Sequence, residues 1–196
     1  MPRGARIIVD NTYYHIITRG IDQRKLFRYP ADYQSLKRII LDYLEKFPVS
    51  IHNYCFMPNH LHFLVYVKQG AVLPKFMQAI LQVYAYQFRA KFKSTGFVFQ
   101  NRYKSKIIEK ASYLLECARY IERNPLRANL VENLLDFSWS SFHFYATGKK
   151  DEIIKEVNPL YLELSPAKEI RQQQYLDFIL QPRAYEDIID KEFRTR

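Results

Sequence analysis

The sequence predicts an α+β domain of ferredoxin-like type, a βαββαβ antiparallel sheet with both helices on one face, an added helix, and a helical C-terminal appendage. Three observations predict it. Runs dense in β-branched and aromatic residues occur at 12–18, 49–57 and 60–67, with a shorter one at 103–108. Apolar residues spaced three and four apart fill 31–47 and 73–92. The two kinds of segment alternate in the order of a split βαβ unit, which leaves one sheet face free to meet a ligand.

Each element has its own local signal. Thr12 to Thr18 (TYYHIIT) reads as a strand stopped by Arg19-Gly20. Tyr33, Leu36, Ile39, Ile40, Tyr43, Leu44 and Phe47 form one helical stripe, closed by Pro48. Val49 to Met57 and His60 to Val67 flank Met57-Pro58-Asn59 and read as a hairpin. Leu73, Phe76, Ile80, Val83, Tyr84, Phe88 and Phe92 mark a second helix, ended by Ser94-Thr95-Gly96. After the strand at 103–108, a third helix is expected from Ala111-Ser112 to about Arg123, with Ser112 as N-cap and Glu116 near the positive end of the dipole. Beyond Trp139 the pattern weakens. From 152 onward short helical runs are interrupted by Pro159, Pro166 and Pro182.

Composition narrows the function. No apolar run approaches the roughly 20 residues of a membrane span, and no secretory signal precedes the first strand, so a cytoplasmic protein is expected. Cys55 and Cys117 lie far apart among apolar neighbours and read as buried free thiols rather than zinc ligands. The net charge of +10 is uneven: residues 1–149 carry 22 Lys and Arg against 10 Asp and Glu, residues 150–196 carry 8 against 10. Arg89, Lys91, Lys93, Arg102, Lys104, Lys106 and Lys110 concentrate the surplus. Such a stretch suits phosphates, or simply a solvated surface.

Two spacings carry chemistry. His60-Leu61-His62 on a strand would point both imidazoles from one face, as two ligands of one metal require. A pair of half-exposed strand histidines has the same pattern. A metallo-hydrolase H-x-H-x-D would need a carboxylate where Leu64 stands, and a zinc deaminase would need H-x-E with a later P-C-x-x-C. Tyr120 and Asn124 lie four apart, on one face of the third helix, among Arg119, Arg123 and Arg127. A phenol needs a metal or cations beside it to attack phosphorus, because its unperturbed pKa is about 10. Equally, Tyr120 is one of 16 tyrosines, and Asn124 before Pro125 has the form of an N-cap opening a new helix.

Taken together, the segments resemble the HUH single-tyrosine (Y1) transposases of insertion-sequence type, in particular the REP-associated tyrosine transposase branch. The resemblance rests on Tyr13-Tyr14-His15 through Thr18-Arg19-Gly20 and on Tyr54-Cys55-Phe56-Met57-Pro58-Asn59-His60-Leu61-His62-Phe63-Leu64. It continues through Gly96 with Phe99-Gln100-Asn101-Arg102-Tyr103-Lys104-Ser105, then Arg119-Tyr120-Ile121 with Asn124-Pro125-Leu126-Arg127-Ala128, and closes at Trp139-Ser140-Ser141. It spans roughly 12–145. Glu122 and Arg123 depart from the residues more usual in that branch, and the tail after about 150 falls outside it.

The resemblance implies a catalytic domain over 1–149, while the acidic balance and interrupted helical runs of 150–196 read as a helical appendage outside it. The resemblance also implies Tyr120 as nucleophile and His60, His62 and Asn124 as ligands of Mg²⁺ or Mn²⁺. The expected activity is metal-dependent nicking and rejoining of single-stranded DNA at hairpin-associated sites, through a 5′-phosphotyrosine. Arg19, Arg89, Lys93, Arg102, Lys104, Lys106, Arg123 and Arg127 are the expected nucleic-acid contacts, with Phe92, Phe97, Phe99 and Tyr103 interleaved for stacking. The partner is single-stranded or hairpin DNA, with a homodimer as one form of the active unit. The alternatives are a domesticated, non-catalytic hairpin DNA- or RNA-binding module and a histidine-dependent phosphodiesterase that forms no covalent intermediate.

Overall fold

The computed structural model describes residues 8–109 and 113–181, so the expected N-cap Ser112 and the basic Lys110 lie outside the described residues. The elements run β1 (Thr12–Arg19), α1 (Pro30–Leu44), β2 (Val49–Met57), β3 (His60–Val67), α2 (Val72–Phe92), β4 (Lys104–Ile108), α3 (Tyr113–Arg127), α4 (Phe142–Thr147), α5 (Pro159–Leu164) and α6 (Lys168–Leu180). The strands form one antiparallel sheet in the order β2-β3-β1-β4, the ferredoxin-like arrangement. No helix among the described residues is long and apolar enough to cross a membrane.

Strand alternation divides the chemistry between the two faces. Tyr14, Ile16, Phe56, Leu61, Phe63 and Val65 belong to one core with Leu36, Ile40, Phe76, Ile80 and Tyr84 of α1 and α2. The other face carries His15, Ile17 and Arg19 on β1, His60, His62 and Leu64 on β3, and Cys55 and Met57 on β2, as the cross-strand register requires. This face is not left open, as the sequence suggests. Leu114, Cys117, Tyr120 and Ile121 of α3 pack onto Cys55, Met57 and Leu64, because the apolar stripe of an amphipathic helix has to be buried somewhere. Both cysteines are buried and free. Residues 139–141 run beside the outer strand β2, with Phe56 N donating to Trp139 O and Ser141 N to Tyr54 O, so that edge is partly paired.

Helix α3 also runs further than its sequence suggests, through Pro125 to Arg127. A proline inside a helix deprives the carbonyl four residues earlier of its N–H partner. Here Asn124 repairs the defect: its Nδ2 donates to Ile121 O at 3.1 Å, and to Tyr120 O at 2.8 Å. The Asn-Pro pair therefore sustains one helix instead of opening another.

The C-terminal helices close over the outer side of α3 around a buried polar cluster. Glu122, fully buried, accepts at Oε1 from Asn53 Nδ2 (2.9 Å) and Ser141 Oγ (2.5 Å), and at Oε2 from Tyr175 OH (2.9 Å). Asn158 Nδ2 in turn donates to Asn53 Oδ1 at 3.2 Å. Four segments, β2, α3, the start of α4 and α6, thus meet at one carboxyl, and the start of α5 joins them through Asn53. Tyr145, Tyr161, Tyr175 and Ile179 belong to the main apolar core.

Burial raises the Glu122 pKa from 4.5 to about 7, against the opposing pull of the hydrogen bonds from Ser141, Asn53 and Tyr175. A carboxyl whose folded pKa exceeds its unfolded value contributes most at low pH, where it is protonated in both states. That contribution is lost as pH rises from 4.5 through about 7. Urea unfolding at pH 5 and pH 8 should therefore show the wild-type protein losing on the order of 3 kcal/mol more than Glu122→Gln across that interval. Equal losses in the two proteins would show that Glu122 is not held neutral by burial.

Candidate active site

The hairpin after Pro58-Asn59 makes His60 the first residue of β3 and His62 the third, so both imidazoles leave the α3 side of the sheet. Their ring centroids are 4.9 Å apart. His62 is buried, and its Nδ1 lies 3.1 Å from Nε2 of His15, a buried histidine on β1. His60 is half-buried, with Nδ1 at 2.6 Å from Asn59 Oδ1. Burial lowers the His15 pKa to about 3, helped by Lys106, and holds His62 well below its ordinary value, with His60, His15, Arg19 and Arg127 acting the same way. Both rings are neutral at pH 7, the state in which an imidazole can bind a metal.

Tyr120 is set edge-on to this pair, with its ring centroid 5.6 Å from His62 and 5.4 Å from His15. The tyrosine is 3% exposed. Of the three arginines expected around it, only Arg127 is placed over the ring, at 5.3 Å. Arg119 pairs with Glu116 and lies over Phe178 at 3.8 Å. Arg123 donates to Ile179 O (3.1 Å) and Leu180 O (2.5 Å), where it satisfies the C-terminal carbonyls of α6. Arg119 and Arg123 sit among α6 contacts because the outer side of α3 faces the C-terminal helices.

The remaining basic residues sort by face. Arg19 is exposed and pairs in register with His60, while Lys104 and Lys106 on β4 pair with Ile17 and His15 on the histidine side. Arg89 and Lys93 lie at the end of α2, on the opposite side of the sheet. The loop from Lys93 to Tyr103 returns to the histidine end of β1: Ile21 N donates to Val98 O, and Gln100 N to Arg19 O at 2.9 Å. Arg102 is exposed on that loop. Of the four interleaved aromatics, Phe92 and Phe99 are half-buried and Tyr103 is buried, while Phe97 stands 79% exposed.

The sequence places His15 in a string that carries the family resemblance but gives it no role. Its one signal was its parity: His15, Ile17 and Arg19 share a strand face, but which β3 residue each meets depends on the register. Among the described residues no group of three or more His, Cys, Asp or Glu is placed to hold a metal. Asn124, expected as a third ligand, commits its side-chain nitrogen to the carbonyls of Tyr120 and Ile121, so the two imidazoles are the candidate donors that the geometry brings together. So few protein donors fit an ion such as Mg²⁺ that keeps waters and accepts substrate phosphate oxygens.

A ferredoxin-like sheet with two histidines on one face and a helix-borne tyrosine beside them is the architecture of a single-tyrosine transposase. The chain belongs to the IS200-like transposase family, whose model matches residues 8–124. Its fold is similar to that of a REP-associated tyrosine transposase solved with a REP hairpin, with a TM-score of 0.63 and 19% identity over 80% of this chain and 92% of that one. A protein from Deinococcus radiodurans R1 named as a transposase aligns at 19% identity over 66% of this chain and 92% of that one, with a TM-score of 0.43. No curated protein matches the chain.

The sorting of cations yields a measurable contrast. Arg19→Ala and Arg102→Ala should each reduce the salt dependence of DNA binding by about one phosphate contact, a change of roughly 0.7 to 0.9 in the log–log slope. Arg123→Ala should leave that slope unchanged and lower the unfolding temperature, since it removes donors from the end of α6. A flattened slope in Arg123→Ala would contradict this assignment.

Proposed function

We propose that this transposase nicks and rejoins single-stranded DNA beside a hairpin, with Tyr120 as nucleophile and His60, His62 and Asn124 as the ligands of a Mg²⁺ or Mn²⁺ ion. The observation that carries the reading is the approach of the Tyr120 ring to within 5.6 Å of His62, across the helix–sheet contact. The phenolic oxygen would attack a backbone phosphorus and form a P–O bond as the P–O3′ bond breaks. The products are a 5′-phosphotyrosine and a free 3′-OH: the phenol gives up its proton and the departing 3′ oxygen takes one, so none is lost overall. A second 3′-OH reverses the step and restores the phenol, so phosphodiester energy is conserved and no nucleotide is consumed. When bound, the cation would draw negative charge from the non-bridging oxygens. Arg127 over the ring adds a positive charge where negative charge passes from phenol to phosphate.

Arg19, Lys104, Lys106 and Arg102 would hold the strand along the histidine side of the sheet, with Phe97 as a stacking platform for a base. The hairpin specificity is taken from the REP-associated relative with the similar fold. Residues 1–149 would carry the machinery, and the appendage from 150 would buttress α3 through Tyr175. His60 and His62 are neighbours, and Tyr120 lies beside His62, within one chain, which supports a reading in which the nucleophile is supplied in cis, whether the active unit is a monomer or a homodimer.

One observation favours a second reading. Tyr120 is 3% exposed, as expected of a domain that keeps hairpin binding without cleavage. A denaturing gel after incubation with hairpin DNA and Mg²⁺ or Mn²⁺ separates the two. A covalent protein–DNA species is expected in the wild type and lost in Tyr120→Phe. His60→Ala should need more metal for the same yield. No adduct at any metal concentration would favour the binding module, and an adduct in Tyr120→Phe would end the nucleophile assignment. Separately, Phe97→Ala should weaken binding of an unpaired strand by about 1–3 kcal/mol, the value of one stacked base, and leave folding intact.

A further inference from the structure

Three histidines meet on the sheet, and the proposed function uses only two of them. His15 Nε2 and His62 Nδ1 are 3.1 Å apart, both side chains are buried, and the rings meet edge to edge, their planes 24° apart and centroids 5.4 Å apart. We infer that His15 is a positioning residue: it accepts a hydrogen bond from His62 Nδ1 and so holds His62 in the tautomer whose Nε2 can bind a divalent cation. The inference rests on the reading of His62 as a metal ligand and adds a function for a residue that reading leaves idle.

Proton counting carries the argument. A nitrogen-to-nitrogen contact at this distance holds one proton, since two N–H groups would collide and two lone pairs would repel. With the proton on His15, His62 carries its own hydrogen at Nε2, and that atom has no lone pair for a metal. With the proton on His62 Nδ1, Nε2 is a ligand. His60 shows the same pattern, because Asn59 Oδ1 is an acceptor and at 2.6 Å takes a hydrogen from His60 Nδ1. The two strand histidines then share one tautomer.

The fold explains why a histidine on β1 does this for one on β3. His62 pairs with Ile17 and His15 with Leu64, so the two imidazoles are diagonal neighbours on the same sheet face, within reach of long side chains. His15 spends Nε2 on this contact and is not a third ligand through that atom. Helix α3 covers the pair, with Tyr120 edge-on to both rings. A partner of this kind, bonded to the far nitrogen of a metal-bound histidine, commonly changes metal affinity by about 10- to 100-fold when removed.

The test uses the DNA-free protein and Mn²⁺ alone. Free Mn²⁺ is followed by electron paramagnetic resonance during titration of wild type, His15→Leu, His15→Gln and His62→Ala. His15→Leu should bind Mn²⁺ about 10- to 100-fold more weakly, and His15→Gln, whose amide oxygen can accept from His62, should recover most of the loss. Wild-type affinity in His15→Leu, with affinity lost in His62→Ala, would overturn the role of His15 and spare the metal site. Wild-type affinity in His62→Ala would instead remove the ligand assignment on which the inference stands. Should His15→Leu fail to fold, nitrogen-15 spectra of the Mg²⁺-loaded wild type decide the matter: His62 is expected with its proton on Nδ1, and a proton on Nε2 overturns the proposal.

Discussion

Helix α3 lies between two buried surfaces, with Cys117, Tyr120 and Ile121 against the sheet and Arg119, Glu122 and Arg123 against the C-terminal helices. This two-sided packing is what sets a tyrosine beside a pair of strand histidines. A helix held by one apolar stripe alone could shift along its groove by part of a turn, and a shift of one residue rises 1.5 Å and rotates each side chain by about 100°. The outer contacts oppose such slippage. They are polar and directional, and each ties a named side chain to a named partner.

Burying polar groups costs free energy unless every one finds a partner, and the structure meets that cost mainly by sharing. Glu122 is satisfied from three other segments at once, so the residues that neutralise its burial also join β2, α4 and α6 to α3, the helix that carries Tyr120. Asn124 works on the same principle at smaller scale. It supplies a donor to the carbonyl that Pro125 leaves without one, and α3 continues past Tyr120 to Arg127. The fold thus invests polar side chains in the helix that has to be placed accurately.

The two faces of the sheet differ sharply in chemical character. The histidine side of the sheet carries neutral imidazoles, the phenol, and the cations Arg19, Lys104, Lys106 and Arg127, whereas the opposite side is apolar core under α1 and α2. Phosphate therefore meets positive charge on the same side as the residues that would act on it. Tyr120 itself is nearly enclosed there, so charge–charge interactions at its ring are less screened than at the exposed cations around it.

The sequence by itself determined the element order, the hairpin at Pro58-Asn59 and the projection of His60 and His62 from one side, because these depend on local periodicity and turn chemistry. It also determined the family, since His60, His62, Tyr120 and their neighbours form recognisable strings. Only the tertiary structure decided which residues those strings would meet. His15 became a neighbour of His62 through a cross-strand register that no local pattern encodes. Arg119 and Arg123 turned from the phenol because helices that follow them in the chain occupy the outer side of α3. The continuation of α3 through Pro125 had the same origin: a proline breaks a helix by default, and it was a side-chain bond, seen only in three dimensions, that made the exception. Local signals report on neighbours a few residues apart, whereas burial and partnership are decided by whatever the rest of the chain brings to the other side.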